Sequence, residues 1–175
     1  MAGRTRGNET TGDVIRTLVI FLGLLALVGG FFAMNRPGPS LPDEVDYESV
    51  VDVVREQYPY PVVAPVAVPD AWRATSVDHG QELGGHRWRV GFLVDGEQFV
   101  GLEQMDGEIQ AYLLDRLRDF DEDGTSRIGG DTWERRLERD RSPDRALVRV
   151  ESGVVTIVRG TTGYDTLEEF VTWLE

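Results

Sequence analysis

HRWRVGFLVDGEQFVGLEQM, residues 86–105, is written on a period of two. His86, Trp88, Val90, Phe92 and Val94 alternate with Arg87, Arg89, Gly91 and Leu93, the pattern of a strand with one buried face. Asp95-Gly96 is a dipeptide that accepts positive φ, so it predicts a two-residue hairpin turn. Gln98–Met105 is then the returning strand. A sequential hairpin of this kind belongs to an antiparallel sheet and argues against a doubly wound parallel one.

Working outward, Trp72–Val77 reads as the preceding strand. Thr132–Arg139, Arg145–Glu151 and Val154–Arg159 read as later ones, the last two joined at Ser152-Gly153. Glu108–Arg118 reads as a short helix with Ile109, Tyr112, Leu113 and Leu117 on one face. Tyr47, Val50, Val51, Val54 and Tyr58 repeat at helical spacing within Asp43–Tyr58. The chain ends in a third helix with Leu167, Phe170, Val171 and Leu174 on its apolar face, and Asp165 and Glu168 at capping-box spacing. Four prolines at 59, 61, 65 and 69 exclude helix and central strand, so this segment is expected to run extended along the domain edge. The fold class is α+β: a five- or six-stranded antiparallel sheet with one face covered by all three helices.

Further upstream the character changes. TLVIFLGLLALVGGFFAM, residues 17–34, carries no charge. Eighteen residues of helix span roughly 27 Å, close to a ~30 Å hydrocarbon core. It is longer than the apolar core of a cleaved signal peptide. Arg4, Arg6 and Arg16 precede it, which puts the N-terminus on the cytoplasmic side. The expected organisation is a cytoplasmic tail (1–13), a transmembrane helix (14–34), a Pro-rich tether (35–44) and an extracytoplasmic α+β domain (45–175). The protein is thus expected in the cell membrane as a single-pass protein.

From residue 37 onward 29 acidic residues face 14 arginines, a formal net charge of −15. Such a domain repels nucleic acid and anionic headgroups. With no cysteine, neither disulfides nor a lipid-modified N-terminal cysteine is available.

Candidate sites are few. Asp119, Asp121 and Asp123, followed by Gly124, copy the first half of a calcium loop, three carboxylates at alternate positions before a sharp turn. The second half fails: position eight is Ser126 and position twelve is Gly130, where a bidentate glutamate belongs. A solvated acidic loop, DFDEDGTSRIGGD, is the plainer reading, and any calcium binding would be weak. No other cofactor is expected. His79 and His86 flank a glycine-containing turn with Asp78 and Glu82 nearby, but exposed hairpin histidines account for them. Arg135, Arg136, Arg139 and Arg141 alternate with acids and read as surface ion pairs. Trp72, Trp88 and Trp133 sit in strands, where core packing is the default. Trp173 lies off the apolar face of the last helix and is the candidate partner contact. No GxSxG, HExxH, P-loop or GxGxxG occurs, and no catalytic residue is assigned.

Several segments together resemble a known family. VVAPVAVPDAWRATSV (62–77) is similar to its Pro-rich strand opening, with Ala71 where glycine is usual. WRVGFLVDGEQFVGLEQMDG (88–107) resembles its hairpin, GGDTWERR (129–136) its G-x-x-W strand, and RALVRVESGVVTIVRGT (145–161) its penultimate hairpin. The family is the actinobacterial, membrane-anchored group known as domain of unknown function 4245. The resemblance implies a cell-envelope protein of unassigned function and brings no catalytic residues. A fainter likeness, of fold only, is to extracytoplasmic lipoprotein domains whose curved antiparallel sheet encloses an apolar ligand. The leading expectation is a non-enzymatic envelope domain that binds a protein partner as an accessory or assembly factor. The alternative is a carrier or sensor of a lipid or other apolar ligand, which requires an interior pocket of a few hundred Å3 lined by Trp and Phe.

Overall fold

The computed structural model describes residues 18–19, 21–22, 24–25, 27–30, 42–140 and 142–175. The chain divides into two compact units, Met1–Leu41 and Pro42–Glu175. In the first unit the described residues between 18 and 30 are helical and exposed. Among the described residues no helix is long and apolar enough to cross a membrane. The tail, most of the tether and the remaining residues of the 14–34 stretch lie outside the described residues.

The second unit holds three helices and seven strands: α1 (Tyr47–Gln57), β1 (Trp72–Glu82), β2 (Gly85–Val94), β3 (Gln98–Met105), α2 (Ile109–Arg116), β4 (Phe120–Ile128), β5 (Asp131–Glu138), β6 (Arg145–Glu151), β7 (Val154–Gly160) and α3 (Tyr164–Val171). All strands pair antiparallel in the order β1-β2-β3-β7-β6-β5-β4. The first three strands form a meander. Through α2 the chain then crosses to the far edge and meanders back until β7 lies beside β3.

The sheet has seven strands, not five or six, because the acidic stretch expected as a loop is β4. Its carboxylates point to solvent while Phe120, Ser126 and Ile128 turn inward. A bulge between Glu122 and Thr125, with Gly124 at φ +87°, adds one residue to β4. The side-chain period is two, so one extra residue exchanges the faces. Phe120 accordingly packs on one side of the sheet and Ile128 on the other. A second bulge, between Ala74 and Ser76, does the same to β1. These two shifts hide the alternation from a reading of sequence.

The helices do not share a face. Val51 and Val54 of α1 and Leu167 and Phe170 of α3 pack with Trp88, Val90, Phe92, Leu102, Leu147 and Val158. Tyr112 of α2 packs on the opposite side with Met105, Phe120, Val148, Val155 and Ile157. Leu147-Val148 and Ile157-Val158 are therefore buried on both faces, which explains apolar runs where alternation was expected. Glu103 pins α2 to its face, accepting a 2.6 Å bond from Tyr112 Oη and pairing with Arg116 Nε at 3.2 Å.

Local signals explain the ends. Asp46 caps α1 through Ser49 N at 3.2 Å. The Glu168 carboxylate, expected in a capping box, is spent elsewhere, and the N-cap of α3 is Gly163, with no side-chain cap. Ser152-Gly153 forms a two-residue turn with both residues at positive φ. Asp95 and Gly96 also have positive φ, but Val94 pairs with Gln98, so this loop holds three residues rather than two.

Candidate functional site

The Pro-rich segment between α1 and β1 does not follow the domain edge. It crosses the α1/α3 face of the sheet as a strap, with Tyr60, Val62 and Ala64 buried beneath it. Proline removes backbone donors, so side chains of the sheet do the fastening. Trp88 Nε1 donates to Val63 O at 3.1 Å, and Val63 N donates to Gln104 Oε1 at 2.8 Å. Gln104 Nε2 donates to Thr156 Oγ1 at 3.3 Å and Pro61 O at 3.5 Å. Tyr60 Oη reaches His86 O at 3.1 Å, and burial pushes its phenol well above the ordinary tyrosine range. Farther along, Ala64 and Glu175 exchange backbone bonds at 3.0 and 3.1 Å, and Pro65 bridges Leu174. The strap and the C-terminal residues thus become one continuous wall.

Between this wall and the sheet lies a cavity of about 610 Å3, within the range of small-molecule sites. Its apolar lining includes Pro59, Ile128, Trp133, Val154, Val171 and Leu174. Across its floor runs a polar row. Arg149 on β6 pairs in register with Thr156 on β7, which pairs with Gln104 on β3. Trp133 is 3% exposed, and its indole N–H has no hydrogen-bond partner among the described residues. The Arg149 guanidinium lies over the Trp133 ring, 5.5 Å from its centroid. Arg149 is held there by ion pairs to Asp131 and Glu151, whose carboxylates are more than half exposed and line the cavity's outer end.

A smaller concavity of about 300 Å3 lies on the opposite face, where Phe99 spreads over Gly91 and Gly101. Asp78 in its lining binds Arg89 at 3.3 Å and the neighbouring Arg87 at 2.5 Å, while Arg159 donates to Arg116 O at 3.5 Å. The hydrogen bond from Arg87 holds the Asp78 carboxyl below the usual range.

The sites expected from sequence fall apart from one another. Asp121 and Asp123 lie on extended β4, with Asp119 just before it, spread along the strand and not wrapped around a point. Asp121 pairs with Arg139 Nε at 3.2 Å. Among the described residues no three His, Cys, Asp or Glu are placed to hold a metal ion. His79 and His86 are separated by the Tyr58 ring, at 6.5 and 5.0 Å between centroids. Trp173, expected to be exposed, is half-buried, edge-on to Trp72 at 5.0 Å and to Phe170 at 5.9 Å. Arg135 donates to Ser126 Oγ at 2.6 Å and to Glu168 at 2.5 Å, tying α3 to the sheet. Arg136 pairs with Glu134 at 2.7 Å. Arg141 lies outside the described residues. Of the four tryptophans, only Trp133 lines the cavity. Sequence reading named the cavity's requirement but not its walls, since these come from residues 59–63 and 171–174, far apart in the chain.

The sequence model of the family described as "Protein of unknown function (DUF4245)" matches residues 6–174. No curated protein and no solved structure matches the chain.

Proposed function

The chain belongs to the DUF4245 family, and from that premise we propose that it is a membrane-tethered module that carries or senses an apolar or amphipathic small molecule. The observation that carries this reading is the cavity of about 610 Å3 between strap and sheet. A domain of this size without disulfides gains by packing its apolar surface, and a concavity of this volume leaves apolar side chains such as Ile128, Val154 and Leu174 short of packing partners that a ligand would supply. The lining is mixed: aliphatic side chains with Trp133 and Tyr60, and the Arg149–Thr156–Gln104 row on the floor. Such a lining suits a ligand with both an apolar body and a polar end. The uncharged stretch at 17–34 supplies the tether, with the acidic domain on the extracytoplasmic side.

The partner-binding reading stands second. It rests on the exposed apolar residues Val53, Val66, Leu83, Phe99, Leu114 and Val150, but each lies on a different element.

Native mass spectrometry of the full chain, extracted from its own membrane in a mild detergent, tests the ligand reading. A non-covalent mass of a few hundred daltons that leaves on denaturation is the expected result. A bare chain under conditions that keep control lipoproteins loaded would refute it. Protease added to wall-stripped, intact cells tests the orientation: residues beyond 44 should be digested. Digestion only after lysis would reverse the topology.

A further inference from the structure

We propose that the cavity takes an uncharged amphiphile, an apolar chain ending in an ester or hydroxyl head, and turns away the equivalent anion. This rests on the ligand reading above and names the ligand's polar end.

Three observations carry it. The first is the donor left over. Gln104 and Thr156, the other polar groups of the floor, are engaged with the strap and with each other. Trp133 Nε1 is buried without a partner among the described residues, and a buried N–H left unmade costs about 1–3 kcal/mol. It donates only, so what completes it is an acceptor such as an ester carbonyl or a hydroxyl oxygen.

The second observation is charge. Arg149 is the cation at the site, and two carboxylates, Asp131 and Glu151, already bind it. The three together carry a net negative charge at the cavity's outer end, inside a domain of formal charge −15. An anionic head finds no free cation there and is repelled. The third is the manner of access. The Arg149 guanidinium lies over the indole ring, held from the exposed end by Asp131 and Glu151, so a head that reaches the indole must displace it against those ion pairs.

The test uses the full chain with 15N-labelled tryptophan in bilayer discs at about pH 8. Two probes share one chain length: monooctanoylglycerol, uncharged, and octanoate, ionised. The indole resonance that disappears in Trp133→Phe should move downfield with the glyceride and stay put with octanoate. Trp133→Phe should weaken glyceride binding about five- to tenfold. If that variant fails to fold, Asp131→Asn/Glu151→Gln decides: octanoate binding should rise severalfold while glyceride binding is unchanged. Equal response to both probes, or a glyceride that binds without moving the Trp133 resonance, overturns the head-group assignment and leaves the cavity reading standing. A glyceride that neither binds nor moves the Trp133 resonance, with octanoate equally silent, overturns both.

Discussion

Gln104 makes three hydrogen bonds from one buried amide, and two of its partners belong to the strap. Replacing it with leucine keeps the volume but leaves the part-buried Val63 N–H without its acceptor. Gln104→Leu should therefore cost about 1–3 kcal/mol, read as a lower urea midpoint with an unchanged slope. A midpoint equal to wild type would mean that the strap is held by its apolar contacts alone. Glu168 is the counterpart on α3. The hydrogen bond from Ser126, reinforced by Arg135, holds its carboxyl below the ordinary glutamate range. A carboxyl with a folded pKa below its unfolded one adds stability above the unfolded value. That stability is lost as pH falls through the folded pKa. Wild type should lose stability on acidification below about pH 5, and Glu168→Gln should show a shallower slope across the same window. Parallel slopes in the two proteins would remove this pair from the acid response. Neither role was legible in the sequence: Gln104 reads as one polar residue in a strand, and Glu168 as half of a capping box.

At the scale of elements, hairpins were the legible part. Period-two alternation and Gly-containing turns locate β2, β3, β6 and β7 within a residue or two. The glycine-containing turn read between His79 and His86 is there, but β1 runs on to Glu82 and the turn tightens to Leu83 and Gly84, with Leu83 held at φ +47° and 39% exposed. A left-handed conformation costs an L-residue with a Cβ about 1–2 kcal/mol, and asparagine bears it more easily. Leu83→Asn should raise stability by about 0.5–1 kcal/mol, measured as an increase in Tm. A fall in Tm would show that the leucine side chain makes contacts worth more than its backbone strain. The strand β4 escaped notice for a different reason. Its composition is that of a loop, and only pairing with β5, with a bulge to exchange its faces, makes it a strand. Acids along an outer strand also discourage pairing with another sheet, which gives the stretch a structural use without calcium.

At the scale of the molecule, α+β and an antiparallel sheet follow from the hairpins, whereas the third layer does not. Nothing in Ile109–Arg116 says which face α2 covers; the crossing from β3 to the far edge decides it. The cavity was illegible for the same reason, being bounded by a strap and a C-terminus that meet through Ala64 and Glu175, Pro65 and Leu174, and Val66 and Trp173. Its existence is what moves the functional reading from a protein partner toward a small ligand. The most direct test is a photo-cross-link in the native membrane. A diazirine analogue of leucine at Leu174, which lines the cavity, is compared with the same analogue at Leu114, which is 69% exposed on α2. The account predicts an adduct of a few hundred daltons at Leu174 and none at Leu114. A protein cross-linked at Leu174, or solvent quenching alone at both positions, would contradict it.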